Sequence, residues 1–160
     1  MYEDKVGMGE YKIKTAPHIV HCSGLGSCVA VIIYDSINKI GGLAHIMLPN
    51  SEAAKEKSNL SKFADTGIDL MFNGLIKKGA QKEFLNAKIF GGANMFPSIK
   101  SSGFLHIGAK NIKAVTNKLE NLAIKIMAQD VGGHKGRSIK LFLETGQVEL
   151  KMIGKKNMIY

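Results

Sequence analysis

The stretch Gly24–Pro49, GLGSCVAVIIYDSINKIGGLAHIMLP, decides how the rest of the chain is read. Val29–Asp35 (VAVIIYD) is β-branched and apolar at successive positions, so a strand here is buried on both faces. SINKIGG supplies turn residues, and Leu43–Leu48 (LAHIML) returns as a second strand, stopped by Pro49 and Asn50. The result is a β-hairpin with Cys28 where one strand begins and His45 near the end of the other. With Asp35–Asn38 as a four-residue loop, Tyr34 pairs with Lys39 and Cys28 falls opposite His45. Directly opposed residues on an antiparallel pair hold their Cβ atoms about 4.5–5.5 Å apart. A bulge at Gly41 or Gly42 shifts that pairing by one residue.

Outward from the hairpin, GEYKIK alternates like a short strand and HIVHC reads as another. Asn50–Asn59 is polar and reads as a loop. From Leu60, the residues Phe63, Ala64, Gly67, Met71 and Leu75 recur at helical spacing and predict a helix to about Lys78. AKIFGGANMF reads as a strand ending at Gly91 and Gly92, and Ile112, Val115, Leu119 and Leu122 form one stripe of a second helix. AIKIMAQ, SIKLFLE and QVELKMI add three strands, the last two joined by a turn at Thr145 and Gly146. The expectation is a β-rich α/β domain spanning residues 1–160, with two principal helices. Two helices are too few to cover so many buried strands, so some sheet packs on sheet.

Composition narrows the function classes. The formal net charge is +9, which favours an acidic partner. The lysines are scattered, at Lys62, Lys77, Lys78, Lys82, Lys110, Lys113 and Lys118, and no aromatic residues interleave with them. That argues against a base-stacking surface and hence against nucleic acid. No apolar run approaches the roughly 18 residues of a membrane span, and the N-terminal MYEDKVGMGE lacks the features of a signal peptide. With only two cysteines, the expectation is a cytoplasmic chain carrying free thiols, not inserted in a membrane.

A Cys–His pair on one hairpin suits nucleophilic catalysis, because the thiolate is the attacking species and an imidazole takes its proton. The GLGS turn before Cys28 lets backbone N–H groups converge as an oxyanion site requires. The structural alternative is a small buried cysteine and a core histidine. His18, His21, Cys22, Cys28 and His45 are also possible zinc ligands, but adjacent His21 and Cys22 point to opposite faces of a strand and no paired CxxC exists. Neither glycine-rich stretch carries a phosphate-loop or dinucleotide fingerprint. His134, Lys135 and Arg137 read as lining a substrate or partner groove, or else as a solvated loop. Gly91 and Gly92 admit a close-approaching backbone or a partner's apolar side chain, and Met47, Met71 and Met127 read as core fillers.

GLGSCVAVIIYD, IGGLAHIMLP, KFADTGI, KIFGGANMF, IGAKN and DVGGHKGRSIKLFLETGQVELK, taken together and in this order, resemble the chemoreceptor glutamine deamidases of bacterial and archaeal chemotaxis, the CheD family. The resemblance runs from about Val6 to Met152. It implies an α/β/β layered fold shared with deamidating toxins, and hydrolysis of receptor glutamines to glutamate without a cofactor. By likeness Cys28 is the nucleophile, His45 the base, and position 22 the third catalytic member. The family usually carries Thr there; this chain has Cys22, a weaker hydrogen-bond acceptor. Lys110 likewise stands where Arg is usual and lacks the bidentate fork. The implied partners are methyl-accepting chemotaxis receptors and the phosphatase CheC. An alternative function follows from the second partner: a docking module that acts without catalysis.

Overall fold

The computed structural model describes residues 2–52, 54–97 and 106–160. Its ten strands are β1 (Glu3–Lys5), β2 (Tyr11–Thr15), β3 (Ile19–Leu25), β4 (Val29–Asp35), β5 (Ile40–Ile46), β6 (Leu85–Gly91), β7 (Lys125–Val131), β8 (Arg137–Phe142), β9 (Val148–Lys151) and β10 (Met158–Ile159). The helices are α1 (Ala64–Lys78) and α2 (Ile107–Asn121). One sheet has the order β2-β5-β4-β6-β7 and the other β1-β3-β8-β9-β10. Within each sheet one pair is parallel, β6 with β7 and β1 with β3, and the other pairs are antiparallel.

Every residue of β4 is buried, as its unbroken apolar run requires. Val29, Val31 and Ile33 face the helices, where Ile68, Met71 and Leu75 of α1 and Val115 and Leu119 of α2 meet them. Ala30, Ile32 and Tyr34 face the second sheet, against Val20, Cys22, Ile139, Leu141, Val148 and Leu150. Helices, first sheet and second sheet therefore stack as three layers, and β4 is the strand that both cores share. Met71 fills the helix-side core, but Met127, on the edge strand β7, is more than half exposed.

Several bounds differ from the sequence expectation, each for a local reason. Leu60–Lys62 form a 3-10 turn with Asn59 accepting from the Ser61 N–H, and Phe63 is extended, so α1 starts at Ala64. β5 begins at Ile40, before the two glycines rather than after them. The β4–β5 register also moves. Asp35 is the last strand residue, paired with Ile40, and its carboxylate accepts from the N–H groups of Ile37 (2.9 Å) and Asn38 (2.8 Å) and from Asn38 Nδ2 (2.8 Å). Lys39, at φ 52°, belongs to the turn. The hairpin loop is thus Ser36–Lys39, and the register differs by two residues from the Tyr34–Lys39 pairing expected.

Candidate active site

A two-residue change of register keeps every side chain on its expected face, because side chains alternate with period two. His45 lies opposite Ala30, and the last rung of the ladder is Val29–Ile46. Cys28 therefore sits one residue beyond that rung, diagonal to His45 rather than opposite it, on the face that looks into the space between the sheets. Diagonal neighbours on one face are about 7–8 Å apart at Cα, with their side chains nearer.

His45 is 1% exposed, and both ring nitrogens are buried without a hydrogen-bond partner among the described residues. Its backbone is well held: its N–H donates to the Glu10 carbonyl (2.9 Å), and its carbonyl accepts from the Gly9 N–H (3.0 Å). Burial pushes the imidazole pKa below its usual 6.5. Cys28 is half-buried, and burial pushes its thiol above the ordinary 9.0, partly countered by its own backbone N–H. Both shifts favour the neutral forms, thiol and imidazole, over the charged ones. An imidazole in that state can accept a proton, which is what activating the thiol requires.

Cys22 lies on β3, opposite Ile139 in the second sheet, and faces the inter-sheet core. Burial, reinforced by the nearby Cys28, pushes its thiol up to about 12. It makes no hydrogen bond to His45. Both cysteines are free.

The glycine pair after β6 admits a backbone, and that backbone belongs to the cysteine. Gly91, at φ 111°, leaves no room for a Cβ against the Cys28 carbonyl, and the Gly92 N–H donates to that carbonyl at 2.8 Å. One residue further, the Ala93 N–H donates to the Gly26 carbonyl (2.8 Å), while the Met95 side chain lies over Gly26. Met95 and Phe96 are both exposed beside this turn.

A sequence model of the family described as CheD chemotactic sensory transduction matches residues 47–152. The chain is 43% identical over 150 residues to the chemoreceptor glutamine deamidase CheD of Halalkalibacterium halodurans, covering 93% of each chain. It is 42% identical over 159 residues to the probable chemoreceptor glutamine deamidase CheD of Pyrococcus horikoshii, covering 99% of this chain and 98% of that one. The chain belongs to the CheD family.

Other residues singled out from this CheD sequence fall in different places. His21 and Cys22 do alternate across β3: His21 faces Glu3 (3.7 Å) on the outside while Cys22 points inward. His18 stacks on Tyr2 with ring centroids 5.0 Å apart. The potential zinc ligands do not converge, and no cluster of three metal-binding side chains occurs among the described residues. Arg137 borders a cleft lined also by Gly24, Ser138, Lys151 and Met152, with little of its own surface exposed there. It is 5% exposed, and its guanidinium bonds Asp130 (Nε 2.9 Å, Nη2 2.8 Å) and the carbonyls of Gly132 (2.9 Å) and Lys135 (3.3 Å). Asp130 also accepts from the Tyr160 hydroxyl at 2.8 Å. His134 and Lys135 are exposed, with His134 Nδ1 3.0 Å from the Asn94 carbonyl, so this part of the loop remains available to a partner. Lys110 is exposed on α2.

The residue that sequence reasoning missed is Asn111. It is fully buried on α2, and its Nδ2 donates to the carbonyls of Ser27 and Met47, each at 3.0 Å. The available signal was its position: Asn111 stands one turn before Val115 on the apolar stripe, where an unpartnered amide is costly. No described helix is long and apolar enough to cross a membrane.

Proposed function

We propose that residues 1–160 act as one deamidase domain that hydrolyses glutamine side chains of chemoreceptors to glutamate, with Cys28 as nucleophile and His45 as general base. The observation that carries this reading is the buried imidazole, both of whose nitrogens are unpartnered among the described residues, on the face it shares with Cys28. Leaving such a group unpaired costs about 1–3 kcal/mol, and a group kept in that condition calls for a reason. Family membership supplies the reaction: the related CheD proteins carry the name chemoreceptor glutamine deamidase.

The chemistry runs in two halves. Neutral His45 takes the Cys28 proton as sulfur attacks the amide carbon, and the oxyanion forms against backbone N–H groups at Ser27 and Cys28. The C–N bond then breaks, the His45 imidazolium gives its proton to the leaving nitrogen, and ammonia departs from a thioester. His45 next deprotonates a water, hydroxide adds to the thioester carbon, and the departing sulfur recovers the proton. The sum is amide plus water to carboxylate plus ammonium. No cofactor enters. Cys22 acts here as a neutral core thiol behind Cys28 rather than as the group that orients His45.

Receptors are the substrates in this reading, and the phosphatase CheC is a second partner. Exposed Met95 and Phe96, next to the Cys28 turn, offer an apolar rim for either. A docking module without catalysis is the second reading, and that rim favours it. One assay separates the two. Wild-type protein incubated with receptor cytoplasmic fragments releases ammonia and leaves the mass increase of Gln→Glu conversion, while Cys28→Ala and His45→Ala lose several powers of ten in rate. Undiminished conversion by folded Cys28→Ala removes the nucleophile assignment. Binding with no conversion by wild type leaves the docking module.

A further inference from the structure

The ladder that aligns β4 with β5 ends at Val29–Ile46, one rung short of Cys28. Beyond that rung the two chains part company. The N–H groups of Met47 and Leu48 turn to the Lys62 carbonyl (2.8 and 3.1 Å), and the Cys28 carbonyl is taken by Gly92. Past the Val29–Ile46 rung, therefore, no sheet hydrogen bond ties the nucleophile's turn to the residues that follow β5. The carboxamide of Asn111 occupies that gap. Its one nitrogen donates both hydrogens, one to the carbonyl of Ser27, immediately before Cys28, and one to the carbonyl of Met47, two residues after His45. Both partners are carbonyls, so the amide can stand in only one orientation. Its Oδ1 is left buried with no partner among the described residues, a condition that packing of α2 alone would not require.

The geometry points to Asn111 as a positioning residue: its carboxamide replaces the missing rung and sets the separation at which Cys28 and His45 cooperate. The inference rests on the deamidase reading above and adds a residue on α2 to it. Met47 directly follows the last residue of β5, so holding its carbonyl holds the end of the strand that carries the imidazole. Gly108, a turn earlier on the same helix, has no room for a Cβ against the carbonyls of Gly92 (2.6 Å) and Ala93 (2.6 Å). The helix is thus seated on the segment that also grips the Cys28 carbonyl, and Asn111 is placed by contacts outside its own side chain.

The test is a double-mutant cycle on the rate of Cys28 alkylation by iodoacetamide, followed by peptide mass spectrometry, with circular dichroism to verify folding. In the wild-type background His45→Ala slows alkylation about tenfold at neutral pH, because the local base is gone. In the Asn111→Leu background the same change alters the rate less than twofold. Ammonia release by Asn111→Leu falls at least tenfold in kcat with KM within about threefold of wild type. Val115→Ala, a packing change on the same helix, lowers Tm but leaves the His45 effect on alkylation intact. Should Asn111→Leu fail to fold, the isosteric Asn111→Asp serves the same cycle, since a carboxylate cannot donate to either carbonyl. An equal His45 effect in both backgrounds overturns the clamp and leaves the Cys28–His45 pair standing. No His45 effect in either background overturns the pair, and the clamp with it.

Discussion

Gly91→Ala is a small change placed against the nucleophile. Gly91 stands at φ 111°, where an L side chain is strained at a cost of roughly 1–3 kcal/mol. For a domain of this size that corresponds to a fall in Tm of roughly 3–9 °C. The added Cβ also runs into the Cys28 carbonyl oxygen, with the Cys28 carbonyl carbon at 3.3 Å and Val29 Cα at 3.4 Å. These are backbone atoms and cannot swing aside as the end of a long side chain would. If Cys28 retreats by about 1 Å, kcat falls on the order of 100-fold, a barrier increase of about 2.7 kcal/mol. Gly132→Ala is the matched control. It too has positive φ, 79°, but an added Cβ meets nothing within 4 Å, so it carries backbone strain without the collision. Ammonia release at saturating receptor fragment, alongside thermal melts, should show both variants destabilised and only Gly91→Ala slow. A folded Gly91→Ala with wild-type kcat refutes the reasoning, and so does an equal loss in Gly132→Ala.

Three other outcomes are expected. The Cys22 thiol is raised from 9.0 to about 12 on folding, so the stability it contributes is intact below pH 9 and is lost as pH climbs towards 12. Urea titrations should find the wild type losing on the order of 4 kcal/mol more than Cys22→Val over that interval, and parallel curves would show that Cys22 titrates normally. Cys22→Thr puts a hydroxyl, a better acceptor than a thiol, into the inter-sheet core beside Cys28, so turnover should be equal or higher; a large drop in a folded variant would mean that the thiol itself is needed. A net charge of +9 favours an acidic partner, so association with receptor fragments should slow as salt rises, since such steering acts through fields screened beyond about 8 Å at physiological ionic strength. A rate independent of salt would confine the positive charge to a role in solubility.

The central hairpin was legible because Val29–Ile33 of β4 is an unbroken apolar run and the turn residues that follow it are unambiguous. Its register was not legible, because it depends on Asp35 turning its carboxylate back onto Ile37 and Asn38, which lengthens β4 by one residue and draws Lys39 into the loop. The shared face of Cys28 and His45 survived that error, since a shift of two preserves parity. β1 and β10 have three and two residues and no periodic pattern, and they exist by pairing with β3 and β9. Arg137 reads from sequence as a groove or loop cation because its partner Asp130 lies on a strand of the other sheet, and nothing in the sequence shows that the segment between them folds back to pair them. Asn111 was hidden for a related reason: both its acceptors are backbone carbonyls, which leave no trace in composition or spacing.

The guanidinium of Arg137 has a consequence for how the chain can change length. One rigid, planar group holds the carbonyl of Gly132 at one end of the segment between β7 and β8 and the carbonyl of Lys135 near the other. The span between those anchors is therefore set by the size of a guanidinium rather than by slack in the backbone. An inserted residue would have to bulge outward or release an anchor, and a deletion would pull Asp130 away from the buried charge it neutralises. The change this geometry tolerates is in which side chains project at positions 134 and 135, not in the length of the segment. The loop can change what it offers to a partner without changing its reach.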